Sequence, residues 1–366
     1  GEAPGSPLRG PGVKVLFVYK YLTFGGCETV LRTRIEGLRR RGHDARAWFL
    51  HDLGGRPLFG DLDDAIFVGD AEAFRASWGL RDWNLISTLD SEEVFEALAS
   101  EPVRPPLALE CHTSYPNALG YLGKLGAGDV DALAVPSEHQ AELVRSILRF
   151  EASIHVLPNP VHWSFLGEPQ DFRPRPDRPL VSWIGRLDSH KNWSGFLEIG
   201  QSLLMRRQDL ELLIVAGPGE GSVGLRLLEK ARDLQLLRSL RWFRGVPHER
   251  IPVFLDAVRA SGGVVVCTSK AESFGMAVAE AMARGCVVVV PRRGPFTEFV
   301  VHGESGLLYE EGDGDDAAGL IHEALESEEL RARLGLAARR TVLGRFTPKH
   351  AVDALESLLQ SHGSFP

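Results

Sequence analysis

Cysteine is scarce, long apolar runs are missing, and positive charge is in the minority. The four cysteines, Cys27, Cys111, Cys267 and Cys286, stand far apart. None shows the short paired spacing that structural zinc or redox centres require, so they read as reduced, mostly buried thiols. No stretch approaches the ~18 apolar residues of a membrane span. The start, Gly1 to Gly12, carries Gly and Pro instead of a basic then apolar signal, and reads as a disordered leader. A cytoplasmic location is therefore expected. With a formal net charge of -8 and a pI near 5.9, a polyanion such as nucleic acid is not the expected partner. There is one local exception: Arg32, Arg34, Arg39, Arg40 and Arg41 crowd a predicted first helix. Such a face suits an anionic membrane surface, which would place the chain peripherally at the inner face, or a charged acceptor. The competing reading is a solvated face ending in arginines that complement the helix dipole. No internal repeat or low-complexity tract is visible.

What is present is ordinary globular composition, with 44% hydrophobic and 25% charged residues. At 366 residues the chain suits two domains of ~150 to 200 residues each better than one core. Val13 to Tyr19 reads as a buried strand, followed by Gly25 and Gly26 and a helix bearing Val30, Leu31, Ile35 and Leu38. Short apolar runs at Ala45 to Leu50, Leu85 to Thr88, Leu107 to Glu110 and Ala132 to Val135 alternate with helical spacing over Glu92 to Leu98 and Glu138 to Leu148. That alternation predicts a parallel sheet with helices on both faces. The proline-rich stretch Leu157 to Leu180 is the best linker. After it the pattern repeats, with strands at Leu180 to Ile184, Leu210 to Ala216, Leu240 to Phe243, Gly263 to Cys267 and Cys286 to Val290. The expected organisation is a leader (1–12), a first doubly wound domain (13–163), a second (164–344) and a C-terminal helix (345–366) crossing back to the first. Hinges are expected near Pro158 to Pro179 and near Gly344. Ligands of open parallel sheets bind at the carboxyl ends of the strands, which predicts a cleft between the halves.

The most informative stretch runs from Glu272 through Ser273, Phe274, Gly275 and Met276 to Glu280 and Gly285. A strand delivers Glu272 to the sheet edge, a helix is expected to start near Phe274, and Gly285 ends it as a left-handed cap. Free N–H groups at that helix start suit a diphosphate. Glu272 is placed for a sugar hydroxyl and Glu280 for ribose hydroxyls, since a carboxylate accepts two hydrogen bonds from a vicinal diol. Taken singly, each residue also has a plain structural reading as a solvated carboxylate, a loop histidine or a surface cation.

This stretch resembles the Glu-x7-Glu signature of the retaining family 4 glycosyltransferases. Gly25-Gly26-Cys27-Glu28 resembles that family's Gly-Gly-x-Glu loop. The run Gly185-Arg186-Leu187 with Lys191 resembles its Gly-Arg-Leu…Lys segment, and Glu298 with Gly303-Glu304-Ser305-Gly306-Leu307 resembles its Glu…Gly-x-x-Gly-Leu run. The resemblance implies the α/β GT-B fold, two facing Rossmann-like domains with a cleft between them. It also implies metal-independent transfer, with retention, from a nucleotide diphosphate sugar (UDP-, GDP- or another) to an unidentified saccharide, lipid-linked or natural-product acceptor, without a cofactor. By similarity, Arg186 and Lys191 would hold the diphosphate and His112 would contact the donor sugar, with these and Glu272 as the catalytic set. Gly25, Gly26, Gly217, Val246, Ser273, Phe274, Gly275, Met276 and Glu280 would line the donor. The chain departs from the family at Pro160-Val161-His162 and at Arg292-Arg293-Gly294-Pro295, where two extra cations stand near the donor end.

Two other readings stay open. Gly219-x-Gly221-x-x-Gly224 formally fits a dinucleotide turn, but the next strand ends Trp242-Phe243-Arg244 without the acid that a nicotinamide enzyme needs. A non-catalytic nucleotide-sugar binder would keep the fold without turnover.

Overall fold

The computed structural model describes residues 12–77, 82–99, 101, 103–171, 177–217 and 221–363. The proposed leader lies outside them but for Gly12, as do Pro174 and Pro176 of the linker and Gly219 of the glycine turn. The chain divides into two compact units: residues 1–162 with 348–366, and residues 163–347.

The first unit runs β1 (Lys14–Leu22), α1 (Gly26–Arg40), β2 (Asp44–Asp52), β3 (Ile66–Val68), α2 (Ala71–Ala76), β4 (Leu85–Leu89), α3 (Glu92–Ala99), β5 (Leu107–Glu110), β6 (Ala132–Val135), α4 (Glu138–Ile147) and β7 (Ile154–Val156). The second runs α5 (Trp163–Leu166), β8 (Leu180–Ile184), α6 (Trp193–Arg206), β9 (Glu211–Val215), α7 (Val223–Asp233), β10 (Leu240–Phe243), α8 (Ile251–Ala260), β11 (Val264–Val266), α9 (Met276–Ala283), β12 (Val287–Pro291), β13 (Leu307–Tyr309), α10 (Gly314–Glu326) and α11 (Glu328–Arg345). The chain closes with α12 (Pro348–His362), which belongs to the first unit.

The first sheet has the order β3-β2-β1-β4-β5-β6-β7 and the second β10-β9-β8-β11-β12-β13, and every pairing is parallel. This is the doubly wound α/β architecture that the alternating pattern predicts. Strands β4, β5, β6, β11 and β12 are buried along their whole length, because helices cover both faces, which explains why they are apolar but for Ser87, Thr88 and Glu110. The sequence reading misses β3, β7 and β13. Each has only three residues, too short to show a period of its own.

The arginine-rich face of α1 is not the free basic surface, nor the solvated one, that the sequence suggests. Arg34 is buried against Glu110, Arg32 pairs with Glu36, Arg39 makes a forked contact with Asp64, and Arg41 reaches Asp353 and Glu356. Arg40 alone of the five is exposed. The last two partners lie on α12, whose return has a clear physical cause. Its Val352, Leu355, Leu358 and Leu359 are buried in the core of the first unit, and Gly37 of α1 leaves room for Val352. Around that apolar seam, Glu356 accepts from Arg41 Nη1 at 2.6 Å and stands 3.0 Å from His43 Nε2.

Leu355→Ala is expected to destabilise the first unit by about 2–5 kcal/mol, through lost burial and a residual cavity. Hydrogen exchange on the full chain checks this: amides of β1, β2 and α1 should lose protection while those of β8, β11 and β12 keep theirs.

Candidate functional site

In both sheets the strand order reverses at one point: between β1 and β4 in the first, and between β8 and β11 in the second. Connections leaving the two strands that flank such a point diverge to opposite faces, leaving a crevice at their carboxyl ends. Of the residues singled out in the sequence, Gly25 and Gly26 follow β1, Arg186 and Lys191 follow β8, and Glu272 follows β11, at these two places, whereas His112 follows β5, Gly217 follows β9 and Val246 follows β10.

In the second unit, β8 ends at Ile184 and β11 at Val266. Asp188 Oδ1 curls the loop after β8 by accepting the N–H groups of His190 (3.0 Å) and Lys191 (2.8 Å), while Asp188 Oδ2 meets Arg186 Nε at 3.2 Å. The loop after β11 is tied to it: the Lys270 N–H donates to the His190 carbonyl at 2.7 Å, and Thr268 Oγ1 donates to the Asn192 carbonyl at 2.9 Å. Thr268 in turn accepts from Trp183 Nε1 at 2.9 Å. These ties bring Lys191 Nζ to 2.5 Å from Glu272 Oε1. Burial works against the Lys191 charge, but the Glu272 carboxylate outweighs it and holds the ammonium pKa above the usual lysine range. Arg186, beside them in the chain, is mostly exposed, with 67% of its side-chain surface open.

The helix of the Glu272 to Gly285 stretch opens at Met276, two residues later than the sequence reading places it. Gly275 caps it with φ 96°, and a side chain there would drive into the Phe296 ring. Gly285 follows the helix end in the left-handed conformation that the sequence suggests. The Phe274 side chain turns inward. It is buried, stacked on Phe299 at 5.5 Å and edge-on to Phe346 at 5.1 Å, so it anchors the turn from within the core. Ser273 and Met276 are half-buried, as is Val246, while Gly217 is exposed with open space at its Cβ position. Glu280 is buried and meets His248 Nε2 at 2.9 Å, so the two glutamates have different partners. His248 escapes the sequence reading; its only signal is its place in the loop after β10. Arg292 and Arg293, the two extra cations, pair with Glu310 and Glu311.

In the first unit Gly25 is the extended N-cap of α1, Gly26 begins the helix, and Glu28 folds back to accept the Thr23 N–H at 2.8 Å. His112 follows β5. Its backbone N–H donates to Asp90 at 3.0 Å, and its Nε2 lies 2.9 Å from Glu110 Oε2. Asp90, Glu110 and Arg34 are the residues missed here, although an acid closing an otherwise apolar strand, as Glu110 does, is a readable signal. Asp90 sits at φ 45°. Burial pushes its carboxyl up to about 6, against the opposing pull of His112 and the N–H groups it accepts. Among the described residues no group of three or more His, Cys, Asp or Glu side chains is placed to hold a metal ion. Among them, too, no helix is long and apolar enough to cross a membrane.

Residues 167–341 match the family model for glycosyl transferases group 1. A D-inositol 3-phosphate glycosyltransferase of Corynebacterium urealyticum is 26% identical over 196 residues, covering 51% of this chain and 43% of that protein. The lipopolysaccharide core biosynthesis glycosyltransferase LpsE of Rhizobium meliloti is 31% identical over 185 residues, covering 50% and 51%. The chain thus spans about half or less of the curated relatives it matches. Among solved structures, Anabaena Alr3699/HepE in complex with UDP-glucose superposes with a TM-score of 0.82 at 19% identity, covering 95% of this chain and 99% of that one. The pneumococcal O-GlcNAc transferase GtfA in complex with UDP and GlcNAc gives a TM-score of 0.76 at 12% identity, covering 95% and 99%. The fold is therefore that of the GT-B glycosyltransferases.

A raised carboxyl pKa means that the folded chain holds a proton which the unfolded chain has released. The stabilisation from Asp90 is complete below the ordinary aspartate pKa and is lost as pH rises through about 6. Relative to Asp90→Asn, which tolerates the positive φ, the wild type should lose stability between pH 4 and 7. The loss should be at most about 3 kcal/mol, since part of Asp90 stays in water. Urea unfolding of both proteins across that range measures the difference.

Proposed function

Because residues 167–341 match the family model for glycosyl transferases group 1, we propose that this chain transfers a sugar from a nucleoside diphosphate sugar to an acceptor hydroxyl. The observation that carries the reading is the Lys191 and Glu272 pair, held together at the strand reversal of the second sheet. A lysine that keeps its charge through neutral pH, with Arg186 beside it in the chain, meets the anionic diphosphate. Glu272, which shares its carboxylate with Lys191, has lone pairs left for a sugar hydroxyl. Behind them, the N–H groups opening α9 add a further positive end. Glu280, steadied by His248, is assigned to the ribose hydroxyls.

In the proposed reaction the bond from the anomeric carbon to the diphosphate oxygen breaks, and the acceptor oxygen bonds to the same carbon from the same face, so configuration is retained. The acceptor proton passes to the departing phosphate. Negative charge grows on the diphosphate, and Lys191 and Arg186 are fixed cations aimed at it. Such groups are worth about 3–4 kcal/mol each when removed from a site of this kind. With those cations in place, we propose that no metal and no cofactor takes part. The solved neighbours HepE and GtfA bind UDP, which favours a uridine diphosphate donor.

Lys191→Ala and Glu272→Ala are each expected to lower kcat by about a hundredfold or more while leaving the melting transition in place. A screen of UDP- and GDP-sugars for turnover, with and without EDTA, tests the reading. Near-normal turnover in either variant, or loss of activity with chelator, contradicts it. Donor binding without turnover under any acceptor would favour the non-catalytic alternative.

A further inference from the structure

Beneath the loop after β5, a chain of buried polar groups ends at one histidine. Arg34, midway along α1, and Glu110, the last residue of β5, form an ion pair at 2.7 Å with each side chain only 1% exposed. Glu110 Oε1 accepts from Ser87 Oγ at 2.5 Å, and its Oε2, which meets Arg34, also lies 2.9 Å from His112 Nε2. Burial alone would raise the Glu110 pKa, but Arg34 and His112 outweigh it and hold the carboxyl well below the usual range. An ionised carboxylate only accepts hydrogen bonds, so the ring nitrogen facing it must carry the hydrogen. On the other side of the ring, His112 Nδ1 is buried and has no hydrogen-bond partner among the described residues.

We propose that Glu110, kept ionised by Arg34, is a positioning residue that fixes His112 in its Nε2–H form, leaving Nδ1 to receive a hydrogen bond from a ligand hydroxyl. The identity of that ligand as the donor sugar rests on the glycosyltransferase reading above; the tautomer does not. Without Arg34 a carboxyl this deeply buried would take up a proton. It could then offer an O–H to the imidazole, and either nitrogen could carry the ring hydrogen. With Arg34 the ring has one polarity. A neutral imidazole in this state accepts from a hydroxyl and rejects a group with no hydrogen to give.

Nitrogen NMR of protein labelled with 15N-histidine tests the first half directly. In the wild type at mildly alkaline pH, the His112 proton should reside on Nε2 alone. In the double variant Arg34→Met with Glu110→Gln, which removes the buried pair without stranding a charge, a population protonated on Nδ1 should appear. A wild-type proton on Nδ1 overturns the proposal whether or not the variant folds, and so does a folded variant still wholly Nε2–H. The second half is read from binding of UDP-sugars with single hydroxyls replaced by fluorine. One position should weaken wild-type binding roughly three- to tenfold, with the difference lost in His112→Ala. Equal binding at all positions overturns the assignment of Nδ1 to a sugar hydroxyl. If no nucleotide sugar binds at all, the donor reading has failed, while the tautomer is still decided by the spectrum.

Discussion

A parallel sheet can reverse its strand order only by sending successive connections to opposite faces, and at the reversal two strand ends are left with no connection crossing over them. That constraint positions the charged pair of the second unit and the glycine turn of the first. In the second unit it sets the loops after β8 and β11 side by side, where the Lys270 N–H and the Thr268 hydroxyl tie two distant sequence segments together, so that Lys191 and Glu272 form one charged pair. In the first unit it sets the Gly25 turn beside Asp90, with His112 one strand further along. The chemistry is carried by loops, but the sheets decide which loops are neighbours.

Two buried carboxylates, one in each unit, are each given several partners instead of one. Glu110 takes Arg34, Ser87 and His112. Asp256 takes two nitrogens of Arg284, which also donates to the carbonyls of Phe165, Gly167 and Glu168. A carboxylate removed from water is costly unless its lone pairs are met by hydrogen bonds. The Arg284 network also straps the start of the second unit onto α8 and α9, which gives the segment after His162 a fixed course.

Much of the architecture was legible because both sheets are covered on two faces. Strands such as Leu107 to Glu110 and Leu180 to Ile184 are almost wholly apolar, with Glu110 and Ser182 the polar exceptions, and are bounded by turns, so their limits can be read from residue type. Lys191 and Glu272 were legible for a related reason, since each follows such a strand. Side-chain direction was not. Phe274 adjoins the charged loop in sequence, yet its ring turns into the cluster of Phe296, Phe299 and Phe346, a fact set by tertiary packing. The pairing of the α1 arginines is equally hidden in the sequence, because their partners Glu110, Asp64 and Glu356 come from remote parts of the chain. Asp90 and His248 carry no local pattern at all; only the assembled sheets show what they touch.

The return of α12 also bears on the order of assembly. The second unit is one unbroken stretch that is complete at Thr347, whereas the first is interrupted and borrows Val352, Leu355 and Leu359 from beyond it. A chain emerging from a ribosome therefore presents β1 and α1 long before the helix that seals them. The inserted half can reach its final packing first, and the half made earliest closes last.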